Sequence, residues 1–368
     1  MNEMGTLKEV SKTKHRILRN YFPAWARILG SWNSTLVYVD CFAGAGQYAQ
    51  GEPGSPLIIF RTANELIRGT STRKGKKAPF SLYLFFVEKD QKRANALQSL
   101  LREEARPFRS PSQVKFEVIP SDAEDFTSRL IRSIPRGLPA FFFIDPYGHP
   151  LPIPLINQIL AKPRTEVLLV LMWFAINMHL NNPKVSHKID EMFGHHEWAN
   201  QPFMHGHGRE REQAFLDYFI GHIQAKYVLP FQIMFSPEDR IRGKGRRTKY
   251  YIIHFSNHVK AALLMKEVMW PLGDEEGTFV YSAASQLRLF SQQPSEIELT
   301  HRLLETFQGR AISFDQIRME TWNWPFLEKH YRKALKNMES QGIIKIQRRE
   351  SKRSGLKGKD LVIFPGNT

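Results

Sequence analysis

The sequence predicts a doubly wound, Rossmann-like α/β domain with a helical insertion, followed by a small winged-helix domain. Three observations carry that expectation. Short, near-continuous apolar runs alternate with stretches of helical period. The first run leads straight into a turn containing Gly44 and Gly46. Beyond residue 292 the alternation gives way to three helix-like segments and a basic hairpin.

The first element is a helix, because Ile17, Leu18, Phe22, Trp25, Ile28 and Leu29 recur at its period. Strands are expected over residues 36–40, 82–88, 115–119, 140–145, 167–173 and 250–255. Their apolar residues are consecutive rather than alternating, as in a sheet covered on both faces. Residues 179–235 hold fewer strand signals and many His and Asn, and read as the helical insertion. The first domain then covers residues 1–292 and the second 293–368. In the second, SEIELTHRLLETF, ISFDQIRMET and PFLEKHYRKALKNMESQ each read as a helix, and GIIKIQRRE and DLVIFP as strands. Three helices and then a hairpin describe a winged helix, with residues 325–341 as recognition helix and 351–359 as wing. A module that docks protein has the same order.

Composition narrows the class. The chain has 368 residues, 42% hydrophobic and 12% aromatic, which is the content of a globular protein with a substantial core. No run of eighteen apolar residues occurs, so no membrane span is expected. The N-terminus lacks the apolar centre of a secretory signal, and the expected location is the cytoplasm. Cys41 is the single cysteine, which excludes an internal disulfide and any site needing several thiolates. A net charge of +16 points to an anionic partner, nucleic acid above all. The excess collects in residues 68–77, 240–249 and 345–359, each rich in Gly, Ser or Thr. Arg242, Lys244, Arg246, Arg247, Arg348, Arg349, Lys352 and Arg353 are the expected phosphate contacts.

The candidate chemistry lies at strand ends, where α/β sheets bind ligands. In VYVDCFAGAGQY, Asp40 ends the first strand, Phe42 follows, and Gly44 and Gly46 let the backbone approach a ligand. The third glycine of a dinucleotide fingerprint is missing, and so is a phosphate-cradling P-loop. A small-residue turn beside an acid suits S-adenosylmethionine, whose ammonium the acid can hold. Glu88 ends the second strand and is placed to accept ribose hydroxyls; Asp122 follows the third and is placed to take an adenine amino group. Asp122 reads equally as a helix N-cap. The fourth strand ends in IDPYG. There Asp145 and the carbonyl of Pro146 are expected to accept the two N–H groups of a target amine, and Tyr147 to stack on its base. Asp-Pro and Tyr-Gly are also ordinary turn pairs, and the upstream acids decide for the site.

These stretches carry a resemblance. YVDCFAGAGQY, GSPLIIF, FFVEKD, FFFIDPYG and VLMWFAINMH, with TKHRIL and YYIIHFSNHVKAALLMKEVMW, resemble the three-Cys-motif partner (TcmP) family over roughly residues 10–290. The resemblance implies a methyltransferase-like Rossmann fold, S-adenosylmethionine as cofactor, and a radical-S-adenosylmethionine-like partner with three clustered cysteines. It supports Asp40, Gly44 and Gly46 at the methionine end, Glu88 at ribose, Asp122 at adenine, and Asp145, Pro146 and Tyr147 at the target. DPYGHP is also similar to the corresponding stretch of tRNA guanine-N2 dimethyltransferases. The sequence has D-P-Y where most base-amino methyltransferases carry D-P-P or N-P-P before the aromatic residue.

Other chemistry reads more weakly. His195, His196, His205 and His207 lie among glycines without a cysteine, and no metal is expected there. Cys41 reads as a small buried residue rather than a nucleophile. Asn177 and His179 follow the fifth strand and either line the pocket or form a structural pair. The expected function is methyl transfer to an exocyclic amino group of a nucleic-acid base or nucleoside. The alternative is a non-catalytic subunit that brings nucleic acid or substrate to the partner.

Overall fold

The computed structural model describes residues 9–72, 80–108, 113–235, 247–273, 280–281, 295–349 and 355–366. The chain forms two compact units, the first reaching Val268 and the second holding every described residue from Ser295 onward. In the first unit, α1 (Glu9–Gly30) precedes β1 (Thr35–Asp40), α2 (Ser55–Thr72), β2 (Ser81–Val87), α3 (Gln91–Ala105) and β3 (Val114–Ile119). Then come α4 (Ala123–Ser133), β4 (Ala140–Ile144), α5 (Ile153–Leu160), β5 (Thr165–Leu171), α6 (Trp173–Leu180), α7 (Ser186–Phe193) and α8 (Gly208–Gly221). β6 (Tyr227–Met234), β7 (Thr248–Ser256), α9 (Val259–Met269) and the two-residue β8 (Val280–Tyr281) follow.

The sheet runs β3-β2-β1-β4-β5-β7-β6-β8. β3, β2, β1, β4 and β5 pair in parallel, and β7 runs antiparallel to both β5 and β6. The central strands β4 and β5 are buried at every position, whereas the outer β3 is only intermittently buried. Consecutive apolarity therefore marked strands covered on both faces. On one face Tyr38 meets Phe22 of α1, and Tyr21 and Trp25 lie against Phe141. On the other, Val37, Val39, Phe142 and Ile144 share a core with Leu130 of α4, Ile156 of α5 and Ile176 of α6.

Two expected elements are corrected. The insertion at 179–235 is helical only as far as Gly221, and its last part, YVLPFQIM, is β6. Pro230 within that run argues against a strand locally. Pairing of all eight residues with β7 overrides it. In the second unit, ISFDQIRMET is not helical throughout. β9 (Ala311–Ser313) precedes α11 (Phe314–Glu320), because the Ser313 side chain accepts from the Gln316 N–H and closes a capping box that fixes the helix start. The rest of that unit is α10 (Glu296–Phe307), α12 (Glu328–Ser340), β10 (Lys345–Gln347) and β11 (Leu361–Ile363), with the strands in the antiparallel order β10-β11-β9. Its core gathers Leu299, Leu303, Phe314, Leu335 and Val362. No helix among the described residues is long and apolar enough to cross a membrane.

Candidate active site

Register levels the strand ends: Asp40 lies opposite Phe86 of β2 and Phe143 of β4, and Val87 opposite Ile119 of β3. Strand order then sets four acids along one edge of the sheet as Asp122, Glu88, Asp40 and Asp145. The order of strands reverses between β1 and β4, the switch point at which such sheets open a crevice. Asp40 and Asp145 flank it.

Asp40 is fully buried. Its Oδ1 accepts from the Phe42 N–H at 3.3 Å, the Ser55 side chain bonds the carboxylate, and Oδ2 has no partner. Burial pushes its pKa up to about 7; the Ser55 bond opposes the shift and Asp145 adds to it. The turn after it is pinned at both ends. Ala43 N–H donates to the Val87 carbonyl at 2.8 Å, and Gly54 N–H to the Gly46 carbonyl at 2.8 Å. Gly44 (φ 63°) and Gly46 (φ 84°) are both left-handed, so glycine is required twice. A Cβ on Gly46 would sit 2.6 Å from Leu97 Cδ1, while one on Gly44 would meet nothing within 4 Å. The turn is packed beneath and open above. Phe42 is half-buried against the core, and farther along the loop Glu52 carries a second buried, unpartnered oxygen.

Glu88 is half-buried, and its Oε1 accepts from the Asp90 N–H at 2.8 Å. Asp90 in turn caps α3, so Glu88 is braced by the helix start. Asp122 is the N-cap of α4: Oδ1 accepts from the Glu124 N–H at 2.9 Å and Oδ2 pairs with Lys89 at 3.0 Å. Burial alone would raise its pKa, but Lys89 and the Glu124 N–H hold it below the usual range. The N-cap reading of Asp122 therefore holds, and an adenine contact would require Lys89 to yield.

Asp145 is ion-paired through Oδ2 with Lys14 of α1, the two side chains being 16% and 13% exposed. Burial would lower the pKa of Lys14, but Asp145, aided by Tyr48 and Tyr250, drives it well above the ordinary lysine value. The adjacent His15 is forced down to about 3 by burial and by Lys14, and it lies against Tyr48. Sequence reasoning gave Lys14 and His15 no role; the available signal was polar residues inside an apolar helical stripe. Pro146 is buried, and Tyr147 projects with 88% exposure. Two residues on, His149 Nε2 lies 2.9 Å from His179 Nδ1 of α6. Burial, then His179, lowers the pKa of His149 to about 4. His149 Nδ1 and Asn177 Oδ1 are buried without partners. Asn177 and His179 thus stand beside the target motif.

Arg242, Lys244, Arg246, Lys352 and Arg353 lie outside the described residues. Arg247 is exposed, and its carbonyl accepts from the Phe235 N–H at 2.9 Å. Arg348 is tied to both oxygens of Glu339 at 2.7 Å, which removes most of its value as a phosphate contact; Arg349 is exposed. Burial raises the Cys41 thiol to about 12, which makes it a poor nucleophile. Among the described residues no group of three or more His, Cys, Asp or Glu is arranged to hold a metal ion. His196 pairs instead with Asp190 at 2.7 Å.

No family model and no curated protein matches the chain. Among solved structures it is similar to Trm1 from Pyrococcus horikoshii in complex with S-adenosyl-L-methionine, at 11% identity and TM-score 0.35. That match covers 73% of this chain and 62% of that one. An rRNA methylase from Streptococcus thermophilus matches at 11% identity and TM-score 0.30, over 69% of this chain and 100% of that one. A SAM-dependent methyltransferase from Agrobacterium tumefaciens matches at 10% identity and TM-score 0.34, over 68% and 63%. Likeness this distant says nothing of chemistry, and the fold rests on the strand order and register given above.

Proposed function

We propose that the protein is an S-adenosylmethionine-dependent methyltransferase acting on an exocyclic amino group of a nucleic-acid base or nucleoside. The observation that best supports this is the buried, unpartnered oxygen of Asp40 beside an open glycine turn at the switch point. A buried carboxylate oxygen without a hydrogen-bond partner calls for a donor, and the methionine ammonium is one. Bound there, the cofactor supplies an electrophilic methyl group on a sulfonium. Asp40 holds the ammonium, Phe42, Gly44 and Gly46 line the turn, Glu88 takes the ribose and Asp122, once Lys89 yields it, the adenine. Lys14 holds one oxygen of Asp145, which leaves the other to accept an N–H of the target amine. The Pro146 carbonyl accepts the second N–H, and Tyr147 stacks on the base. Held so, the amine aims its lone pair at the methyl carbon.

The resemblance to three-Cys-motif partner proteins further suggests a radical-S-adenosylmethionine-like protein that shares the substrate. We read the domain over residues 293–368 as a winged helix that binds nucleic acid. A second reading, a non-catalytic binding subunit of that partner, is favoured by one observation: Lys14 and Lys89 already occupy Asp145 and Asp122. Calorimetry with S-adenosylhomocysteine decides between the two. Saturable binding that is lost in Asp40→Ala supports the methyltransferase. No heat of binding in the wild type leaves the subunit.

The winged-helix reading carries its own expectation. Reversing the charge of Arg349, Lys352 and Arg353 should weaken nucleic-acid binding and flatten its salt dependence, since each neutralised phosphate releases counterions. Arg348 is left intact, because its replacement would strand Glu339. Unchanged affinity and salt slope would make the unit a protein-docking module.

A further inference from the structure

Beside the strand-end crevice lies a surface the proposed reaction does not use. Among the described residues six large hydrophobic side chains are exposed, and three of them, Tyr147 (88%), Phe174 (37%) and Met178 (54%), sit on the segments leaving β4 and β5. Those strands are parallel neighbours, and the contact between His149 and His179 holds the loop after β4 against α6. Phe174 and Met178 are one helical turn apart, so they share a face of α6. Phe235 stands edge-on to Phe174 with ring centres 4.9 Å apart, and the Lys249 ammonium lies 5.7 Å from the Phe235 ring. Exposed Arg247 is bonded through its backbone to Phe235. Apolar and aromatic faces are thus interleaved with cations.

We propose that Phe174, Met178 and Phe235, flanked by Arg247 and Lys249, form a platform that binds single-stranded nucleic acid next to Tyr147. The charge of the chain, +16, favours a polyanion on this face, and single strands use this pairing: bases stack on flat or polarisable side chains while cations follow the phosphates. The His149–His179 contact sets α6 beside the loop that carries Tyr147, so bases flanking the target stack along α6 as the target base enters the crevice. The substrate is then a base within an unpaired stretch, not a free nucleoside. The inference rests on reading the crevice as a base-modifying site, but its test does not need the cofactor.

Fluorescence anisotropy of the full chain with labelled single strands of about 12 nucleotides, RNA and DNA, and with the matching duplex supplies that test. Single strands should bind more tightly than duplex. The double variant Phe174→Leu, Met178→Ala should lose about tenfold in single-strand affinity, with an unchanged salt slope and unchanged S-adenosylhomocysteine binding. Leu keeps an apolar contact with Phe235, and a melting curve verifies the fold. Should the double variant unfold, Met178→Ala alone carries the comparison, with a smaller loss expected. Equal affinity of wild type and variant, or an equal loss on duplex, overturns the platform. If S-adenosylhomocysteine fails to bind while single-strand affinity still depends on α6, the platform stands and the methyltransferase reading falls.

Discussion

Asp145→Ala is expected to lower turnover by roughly 10²–10³-fold, the usual cost of losing one oriented polar group at a reacting centre. Cofactor affinity should hardly change, because Asp40 and not Asp145 meets the ammonium. The same substitution should also destabilise the protein, since it strands Lys14 in a setting only 13% exposed. Breaking one side of a buried pair costs on the order of 3–5 kcal/mol, and the residual exposure here puts the expectation at the lower end. Loss of stability alone is therefore no sign of a merely structural turn. The double variant Lys14→Met, Asp145→Ala resolves the two effects: its melting temperature should recover and its turnover should not. Asp145→Asn, which keeps an acceptor, should retain part of the activity. Tyr147→Phe should keep most of it, since stacking needs the ring, while Tyr147→Ala should weaken substrate binding about ten- to hundredfold. Full activity in Asp145→Ala would move the catalytic centre elsewhere.

Asp40→Asn is expected to stabilise the ligand-free protein above neutrality while abolishing cofactor binding. Asp40 has a folded pKa near 7, above its ordinary value of 3.8, so the native state keeps this proton longer than the unfolded chain. Stability therefore falls as pH rises from about 4 to about 7, by about 1.4 kcal/mol per unit, and then levels. The whole penalty is on the order of 4 kcal/mol. Asn removes the titration, so the gain in melting temperature over wild type should grow across that window and plateau beyond it. Binding runs the other way. The ligand ammonium needs the ionised carboxylate, so wild-type affinity for S-adenosylhomocysteine should rise with pH up to about 7, by at most about tenfold per unit. Melting scans from pH 4 to pH 8 (approximate limits set by the two pKa values), with and without ligand, check both halves. Affinity indifferent to pH, or a variant that binds normally, would detach Asp40 from the ligand.

The sequence by itself determined the alternation of strands and helices in the first unit, the glycine turn, and the four acids at strand ends. Those features are local. A continuous apolar run marks a covered strand wherever its partners lie, and the residue that ends a strand is at the sheet edge in any register. It also showed the helix–helix–helix–hairpin order of the second unit, with one strand missed because Ala311–Ser313 is too short to display a period. What only the tertiary structure decided was non-local. β6 exists because β7 pairs with it, against the local argument of Pro230. Asp40 is buried, with a raised pKa and an unpartnered oxygen, because α1, α2 and the neighbouring strands pack around it. Lys14 reaches Asp145 across 131 residues of chain, a pairing no spacing rule could disclose. The exposed row on α6 was hidden for the opposite reason. WFAINMHL is apolar enough to read as core, and which of its faces meets solvent depends on what packs against the other.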